Sequence, residues 1–293
     1  MIKQREISKL SNRLYLEACD QVGKKQALRI QEPVIERDYV LAWLLTEMTT
    51  HPVLSVALAF KGGTALRRVH FEEYRFSEDL DFTLVQELTL EELLVAFKEV
   101  FASLLAVSGI QFSLSADEPT CHVHNDSFYF DYKGPLPVAS RVKVDITRGE
   151  TVVFPLDRKA VRTTYTEFAD VPAGKLLQVY SFSEIIVEKT LAITDGARKE
   201  PRDLFDLWYI ADAGHIPPCE ELVDGLNRKL ASREGRANDI LVPRLERVEK
   251  ALTLVWDRRL RLQVMALPEF ERCFRSVKRL LSDFDKLREP LLR

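Results

Sequence analysis

Only four cysteines occur in 293 residues (Cys19, Cys121, Cys219 and Cys273), and no two of them form a CxxC pair. That scatter argues against a disulfide framework and fits a reduced compartment. Long apolar runs are also missing: no stretch approaches the roughly 18–20 residues a membrane helix needs. The opening MIKQREISKL is charged from its third residue and has no apolar stretch ending in small residues, so no secretory signal is expected and the chain reads as cytoplasmic. Neither GxGxxG, GxSxG nor HExxH occurs, and the P-loop spacing GxxxxGK[ST] is absent. Dinucleotide-binding, triad-hydrolase, zincin and P-loop chemistry therefore have no motif support. Cys121-His122-Val123-His124 has no accompanying Cys/His cluster, so a zinc or iron site is not expected there.

Net charge is nearly absent too, with 42 Lys+Arg against 45 Asp+Glu. The sum hides a split. Residues 226–293 carry 17 basic and 10 acidic side chains, net +7, which leaves the first 225 residues at net −10. What is plentiful is apolar content, 46% of residues, enough for a sizeable core and for about two domains at this length.

Periodicity divides the chain in the same sense. Residues 33–50 have apolar residues at helical spacing and stop at His51-Pro52. VLSVALAF runs into Lys61-Gly62-Gly63-Thr64 and then ALRRVHF, which predicts a strand or core segment, a tight turn and a helix. DFTLV (81–85), QFSLSA (111–116), SFYFDY (127–132) and RVKVDIT (141–147) read as strands of one sheet, with a helix over 89–107. Beyond about residue 175 the pattern is helical, over 182–196, 202–213, 220–232, 244–264 and 268–288, with a join near 160–178. The fold class expected is mixed α/β (α+β), a sheet with flanking helices followed by a helical C-terminal domain.

Four constellations carry possible chemistry. On a strand, Asp79 and Asp81 at i, i+2 point to one face and could chelate Mg²⁺ with oxygen ligands, although chance acidic pairs at this spacing are common and a solvated turn is the plain alternative. The paired glycines of Lys61-Gly62-Gly63-Thr64 before a helix suit close approach of a phosphate, or make an ordinary strand-to-helix turn. If Val142 and Val144 face the core, Asp145 shares the opposite face with Lys143 and Arg141, where a neighbouring strand would bring it beside 79 and 81. A salt-bridged surface aspartate is the competing account. Lys189 falls inside the apolar stripe of FSEIIVEKTLAITDG and needs a charge partner, for which Asp203 and Asp206 are one turn apart on the next helix. A structural clamp between helices and an active-site role both satisfy that pattern.

In this order, FKGGTALRRVH (60–70), RFSEDLDFTL (75–84), VKVDIT (142–147) and the long ExxxxKTLAITDGARKEPRDLFDL from Glu184 to Leu207 resemble the AbiEii/AbiGii toxin nucleotidyltransferases. These form a branch of the DNA polymerase β-like superfamily that includes the MenT-type toxins. ERDYVLAWLL (36–45) adds to the likeness, which spans about residues 36–210. The resemblance implies a polymerase β-like mixed sheet in a catalytic domain over 1–165. It implies a helical domain over 166–293 that supplies Lys189 and the Asp203/Asp206 segment. It further implies that Lys61, Gly62, Gly63, Thr64, Arg75, Ser77, Arg198 and Asp203 bind the nucleotide, that Asp79, Asp81, Lys189 and Asp206 are catalytic, and that Asp79 and Asp81, with Asp145 as third carboxylate, bind Mg²⁺ (or Mn²⁺). A nucleoside triphosphate substrate, an RNA acceptor (the 3′ end of tRNA foremost), a block of translation and a separately encoded antitoxin belong to the same implication. Two other readings stand beside it: transfer to a protein or small molecule, and a nucleotide-binding protein without turnover. The basic end favours RNA, although Phe270, Phe274, Val277, Leu281 and Phe284 opposite Arg272, Arg275, Lys278 and Arg279 also describe an ordinary amphipathic helix.

Overall fold

A computed structural model describes residues 1–173, 175–231, 236 and 239–288. By contacts the chain forms two units. The first comprises residues 1–150, 156–179 and 263–265, and the second 151–155, 180–262 and 266 onward. The division at 165/166 read from the sequence falls inside the first unit.

The first unit opens with α1 (Gln4–Val22) and α2 (Glu32–Met48), then a single turn, α3 (Leu54–Ala57), and β1 (Leu58–Lys61). The apolar run over 53–60 reads as one element in the sequence, but half of it is helical. The glycine turn starts a short helical stretch, α4 (Gly62–Ala65), which continues as a π-helix over Leu66–His70. There follow β2 (Leu80–Leu84), α5 (Leu90–Ser108), β3 (Gln111–Leu114), β4 (Thr120–His122), β5 (Asn125–Lys133), β6 (Ser140–Thr147), β7 (Asp157–Ala160) and β8 (Leu176–Val179). All eight strands form one mixed sheet in the order β3-β5-β6-β2-β1-β8-β7, with β4 on β5. Mixed sheet and flanking helices agree with the expected class.

Local chemistry explains the main elements. α5 has a capping box, in which Thr89 Oγ1 accepts from Glu92 N (3.2 Å) and Glu92 Oε2 accepts from Thr89 N (2.7 Å), and it ends at Gly109 with φ +76°. Its Phe97 and Phe101 pack on Phe128 and Phe130, which with Tyr132 are the inward residues of β5. Val142, Val144 and Ile146 of β6 are buried beside them. The other face of the same strands is thereby left for polar residues. The glycine-turn helix is anchored from behind: Asp38 of α2, fully buried, takes Arg67 Nε and Nη2 at 2.7 and 2.8 Å and Arg68 Nη2 at 2.6 Å. Burial alone would raise the Asp38 carboxyl, but the two guanidiniums outweigh it and hold the pKa below the usual carboxylate range.

The second unit is helical: α6 (Phe182–Ile193), α7 (Pro201–Asp212), α8 (Cys219–Ala231), α9 (Leu241–Leu260) and α10 (Phe270–Arg288). The last residue of the helix expected over 220–232 lies outside the described residues, as do some of the basic and acidic residues counted over 226–293. α6 starts at the Ser181 cap and α7 at Pro201, which suits a first helical position. Among the described residues no helix is long and apolar enough to cross a membrane.

Candidate active site

The sheet brings the acidic candidates of the first unit into one row. β1 runs antiparallel to β2 and sets Lys61 opposite Asp81, while β6 runs parallel to β2 and sets Asp145 opposite Asp81. β5 continues the row with Ser127 opposite Asp145. Partners in register share a face about 4.8 Å apart, so Lys61, Asp81, Asp145 and Ser127 cross four strands side by side. All four are partly exposed, on the face opposite the core. Lys61 Nζ donates to Thr147 Oγ1 at 2.9 Å. Lys143 Nζ lies 2.7 Å from Asp145 Oδ2, and Ser127 Oγ donates a short hydrogen bond to Asp145 Oδ1. Burial disfavours the Lys143 charge. The hydrogen bond to Asp145 and the charges of Asp145 and Asp79 outweigh that cost and hold the ammonium above the usual lysine pKa.

The turn approaches this row closely. Gly62 has φ +79°, and a Cβ there would collide with Asp81 Oδ2 and lie 3.0 Å from Asp81 Cγ. Only glycine combines that conformation with that closeness. A Cβ on Gly63 would collide with the Arg75 guanidinium and come 3.0 Å from Ser77 Oγ. Arg75 is buried, 3% exposed, and its Nη1 donates to Gln263 Oε1 at 3.1 Å. Thr64, also buried, donates from Oγ1 to the Asp79 carbonyl at 2.5 Å, which ties the loop entering β2 to the turn. Thus Lys61, Gly62, Gly63, Thr64, Arg75, Ser77, Asp79, Asp81 and Asp145 are gathered in one unit. Thr64 and Arg75 sit behind the turn as braces. Sequence reasoning misses Ser127, which is legible as a face-sharing residue only once strand order is known, whereas the salt-bridged aspartate weighed for position 145 is present, with Lys143 of the same strand face as its partner.

The second unit gathers the other candidates. Lys189 of α6 lies 2.6 Å from Asp203 Oδ1 and 2.8 Å from Asp206 Oδ2 of α7. The two aspartates are 1% and 0% exposed, and Lys189 itself is 13% exposed. Arg198 Nε, on a half-exposed side chain, reaches Asp203 Oδ2 at 2.8 Å. A second buried clamp lies on the other side of α6. Glu184, fully buried, accepts from Val153 N (3.0 Å) and Phe154 N (2.9 Å) and pairs with Lys229 of α8 at 2.6 Å, while Lys229 also binds Glu188. Glu184 opens the long signature segment, and its task of holding residues 151–155 is not visible from the sequence.

The residues that could hold a divalent cation are Asp79 and Asp81. Asp81 on β2 and Asp79 just before it carry hard oxygen donors, and the missing side chain at Gly62 keeps the turn off the Asp81 carboxylate. Among the described residues no group of three or more His, Cys, Asp or Glu is gathered as a metal site. Mg²⁺ is commonly held by one or two carboxylates plus substrate phosphate, so two suffice for the chemistry.

Comparison with known proteins gives the geometry a context. The family model described as the nucleotidyl transferase AbiEii toxin of type IV toxin–antitoxin systems matches residues 43–287. No curated protein matches. Among solved structures, MenT4, a nucleotidyltransferase toxin from Mycobacterium tuberculosis H37Rv, is similar with a TM-score of 0.60 at 17% identity, over 96% of each chain. At that identity the likeness is one of fold.

Proposed function

Because the chain belongs to the AbiEii family of nucleotidyltransferase toxins, we propose that it transfers a nucleotide from a nucleoside triphosphate to an RNA acceptor, with the 3′ end of tRNA first among acceptors, and so blocks translation in the cytoplasm. The observation that carries the reading is the Gly62-Gly63 turn folded against Asp81 in the carboxylate row. In it, an acceptor hydroxyl attacks the α-phosphorus and pyrophosphate leaves.

Backbone N–H groups at the start of the 62–70 helical stretch point toward the triphosphate, where anions are favoured. Ser77 and Lys61 border the same turn and bind the phosphates. Arg75 and Thr64 act by keeping Gly63 and Asp79 in place. Asp79 and Asp81, with Asp145 as third carboxylate, would hold Mg²⁺ or Mn²⁺. When bound, the metal stabilises phosphate charge and acidifies the attacking hydroxyl. Lys189, Asp206, Asp203 and Arg198 are needed for turnover. A separately encoded antitoxin restrains the activity, as the family description implies.

An RNA acceptor is supported by α9. Its buried face is Leu245, Val248, Leu252, Trp256 and Leu260. The opposite ridge carries exposed Arg247, Lys250, Arg258 and Arg261, with Leu254 in its middle. The nearest acid on that ridge is Asp257, 3.8 Å from Arg261, whereas Glu246 is taken by Lys278 of α10. Cations on one ridge suit a phosphate backbone.

The test is incubation with each α-labelled nucleotide, total RNA and Mg²⁺, followed by separation of RNA from protein. Label in RNA that disappears in Asp81→Asn supports the reading. Label in a protein band moves the acceptor to a protein, and no label with any nucleotide leaves a binding protein without turnover.

A further inference from the structure

The carboxylate row holds a second lysine besides Lys61, on Asp145. β6 alternates so that Lys143 and Asp145 share the face turned away from the core, the face on which the adjoining parallel strand carries Asp81, with Asp79 just before that strand. Asp81 pairs with Asp145, and Asp79, in the loop entering β2, is close enough for its charge to act on Lys143. The result is a cluster of three carboxylates with Lys143 among them. Lys143 is 2.7 Å from one oxygen of Asp145, and Ser127 donates to the other. Both oxygens of Asp145 therefore already accept from protein donors.

We propose that Lys143 is a counter-cation resident on Asp145, holding it until a divalent cation displaces it, so that competition between the two sets the cation affinity of the site. The proposal rests on the reading of Asp79 and Asp81 as metal-binding residues. Its logic is electrostatic. The three carboxylates and Lys143 sum to −2, and to −3 without Lys143, with Lys61 in register beside Asp81 in either case, and an ammonium some 5 Å from a dication repels it strongly enough to cost about tenfold in affinity even in a water-like dielectric. A carboxylate oxygen that accepts from Lys143 is also not available as a ligand. Lys143 is 38% exposed at its side chain and has room to swing outward, so the exchange needs no movement of the strand. Lys143 is thus a positioning residue: it decides when Asp145 is available.

The measurement is Mn²⁺ titration of the nucleotide-free full chain, followed by electron paramagnetic resonance of the free ion. It compares wild type with Lys143→Met, Lys143→Arg, Asp145→Asn and the double variant Lys143→Met/Asp145→Asn. Lys143→Met should bind Mn²⁺ at least about tenfold more tightly, Lys143→Arg should match wild type, and the gain should shrink in the double variant, where only the repulsion is relieved and no Asp145 oxygen is released. Lys143→Gln replaces Lys143→Met if thermal unfolding shows the latter misfolded. Affinity in Lys143→Met equal to or below wild type overturns the proposal, as does a gain undiminished by Asp145→Asn. In either case, wild-type binding that is lost in Asp81→Asn keeps the metal reading intact. Absence of Mn²⁺ binding in both wild type and Lys143→Met overturns the two together.

Discussion

Each unit of the molecule sets lysine against aspartate, but the two do so in opposite states of exposure. In the sheet, Asp79, Asp81, Lys143 and Asp145 lie on a partly exposed face where their oxygens and ammonium meet solvent. In the helical unit, Asp203 and Asp206 are sealed at 1% and 0% exposure with Lys189 between them. The difference teaches where each cluster spends its charge. An exposed pair contributes about 0–1 kcal/mol to stability, so exchanging its partner for a ligand costs the fold little. Breaking a buried pair costs about 3–5 kcal/mol, because the remaining charge is left without a partner.

The strongest way to break this comparison is to neutralise one residue in each cluster. Asp81→Asn should lower nucleotide transfer by about a thousandfold or more, a loss expected for a group in direct contact with developing charge. Its melting temperature should stay within about 2 °C of wild type, since partly exposed polar changes are mild. Lys189→Met should instead lose activity and about 3–5 kcal/mol of stability together, read by urea unfolding. If Asp81→Asn destabilised as much as Lys189→Met, the distinction between open and sealed clusters would fail.

Much of the open cluster is legible in the amino-acid sequence. The i, i+2 spacing of Asp79 and Asp81, the paired glycines, and the alternation of β6 all state which residues share a face. What spacing does not state is strand order. That Asp145 lies directly beside Asp81, with Lys61 on the other side, follows from β2 pairing with β1 and β6, which are distant in sequence. The lysine in the α6 stripe does announce its need for Asp203 and Asp206, because a buried ammonium must be paired. Asp38 gives no such signal: within a helix full of apolar residues, nothing local says that it anchors Arg67 and Arg68. α1 is absent from the sequence reading although Ile7, Leu10, Leu14 and Ala18 repeat at helical spacing. β7 and β8 are hidden because four-residue strands in a long connecting segment have too few positions to show a period.

Glycines sharpen the comparison at the next level of effect. Gly62→Ala must place a side chain against Asp81 at φ +79°, so transfer should fall about a hundredfold, with about 1–2 kcal/mol lost from stability. Gly196, in the signature segment of the helical unit, has nothing within 4 Å of a Cβ. Gly196→Ala should therefore leave the unfolding midpoint within about 0.5 kcal/mol of wild type. Comparable losses at both glycines in paired transfer and unfolding assays would mean that the turn is no tighter than an ordinary loop. Smaller again is the ridge of α9: Arg247→Glu with Lys250→Glu should weaken RNA binding several-fold and lower the salt slope by about two, without altering nucleotide binding. A slope equal to wild type would remove these two residues from the RNA contact.

The mildest expected effect tests whether the helical unit is sealed throughout. Lys229, 1% exposed, is opposed by burial, but the charges of Glu188 and Glu184 and their hydrogen bonds prevail, so its pKa is raised in the folded protein. A lysine with a raised folded pKa contributes stability that is fully present below its unfolded value of about 10.4 and is lost as pH rises through the folded value. Stability of the wild type should thus hold to about pH 10 and decline above it, measured as the urea midpoint from pH 8 to 11.5. In Lys229→Met the decline should be shallower, on top of a lower plateau caused by the unpaired Glu184. Lys143→Met, which removes a lysine whose pKa is also raised but whose partners are solvated, should change the same alkaline limb less. Equal changes in the two variants would show that exposure does not separate the clusters, and that the sealed lysines of the second unit share their charge with solvent as the open row does.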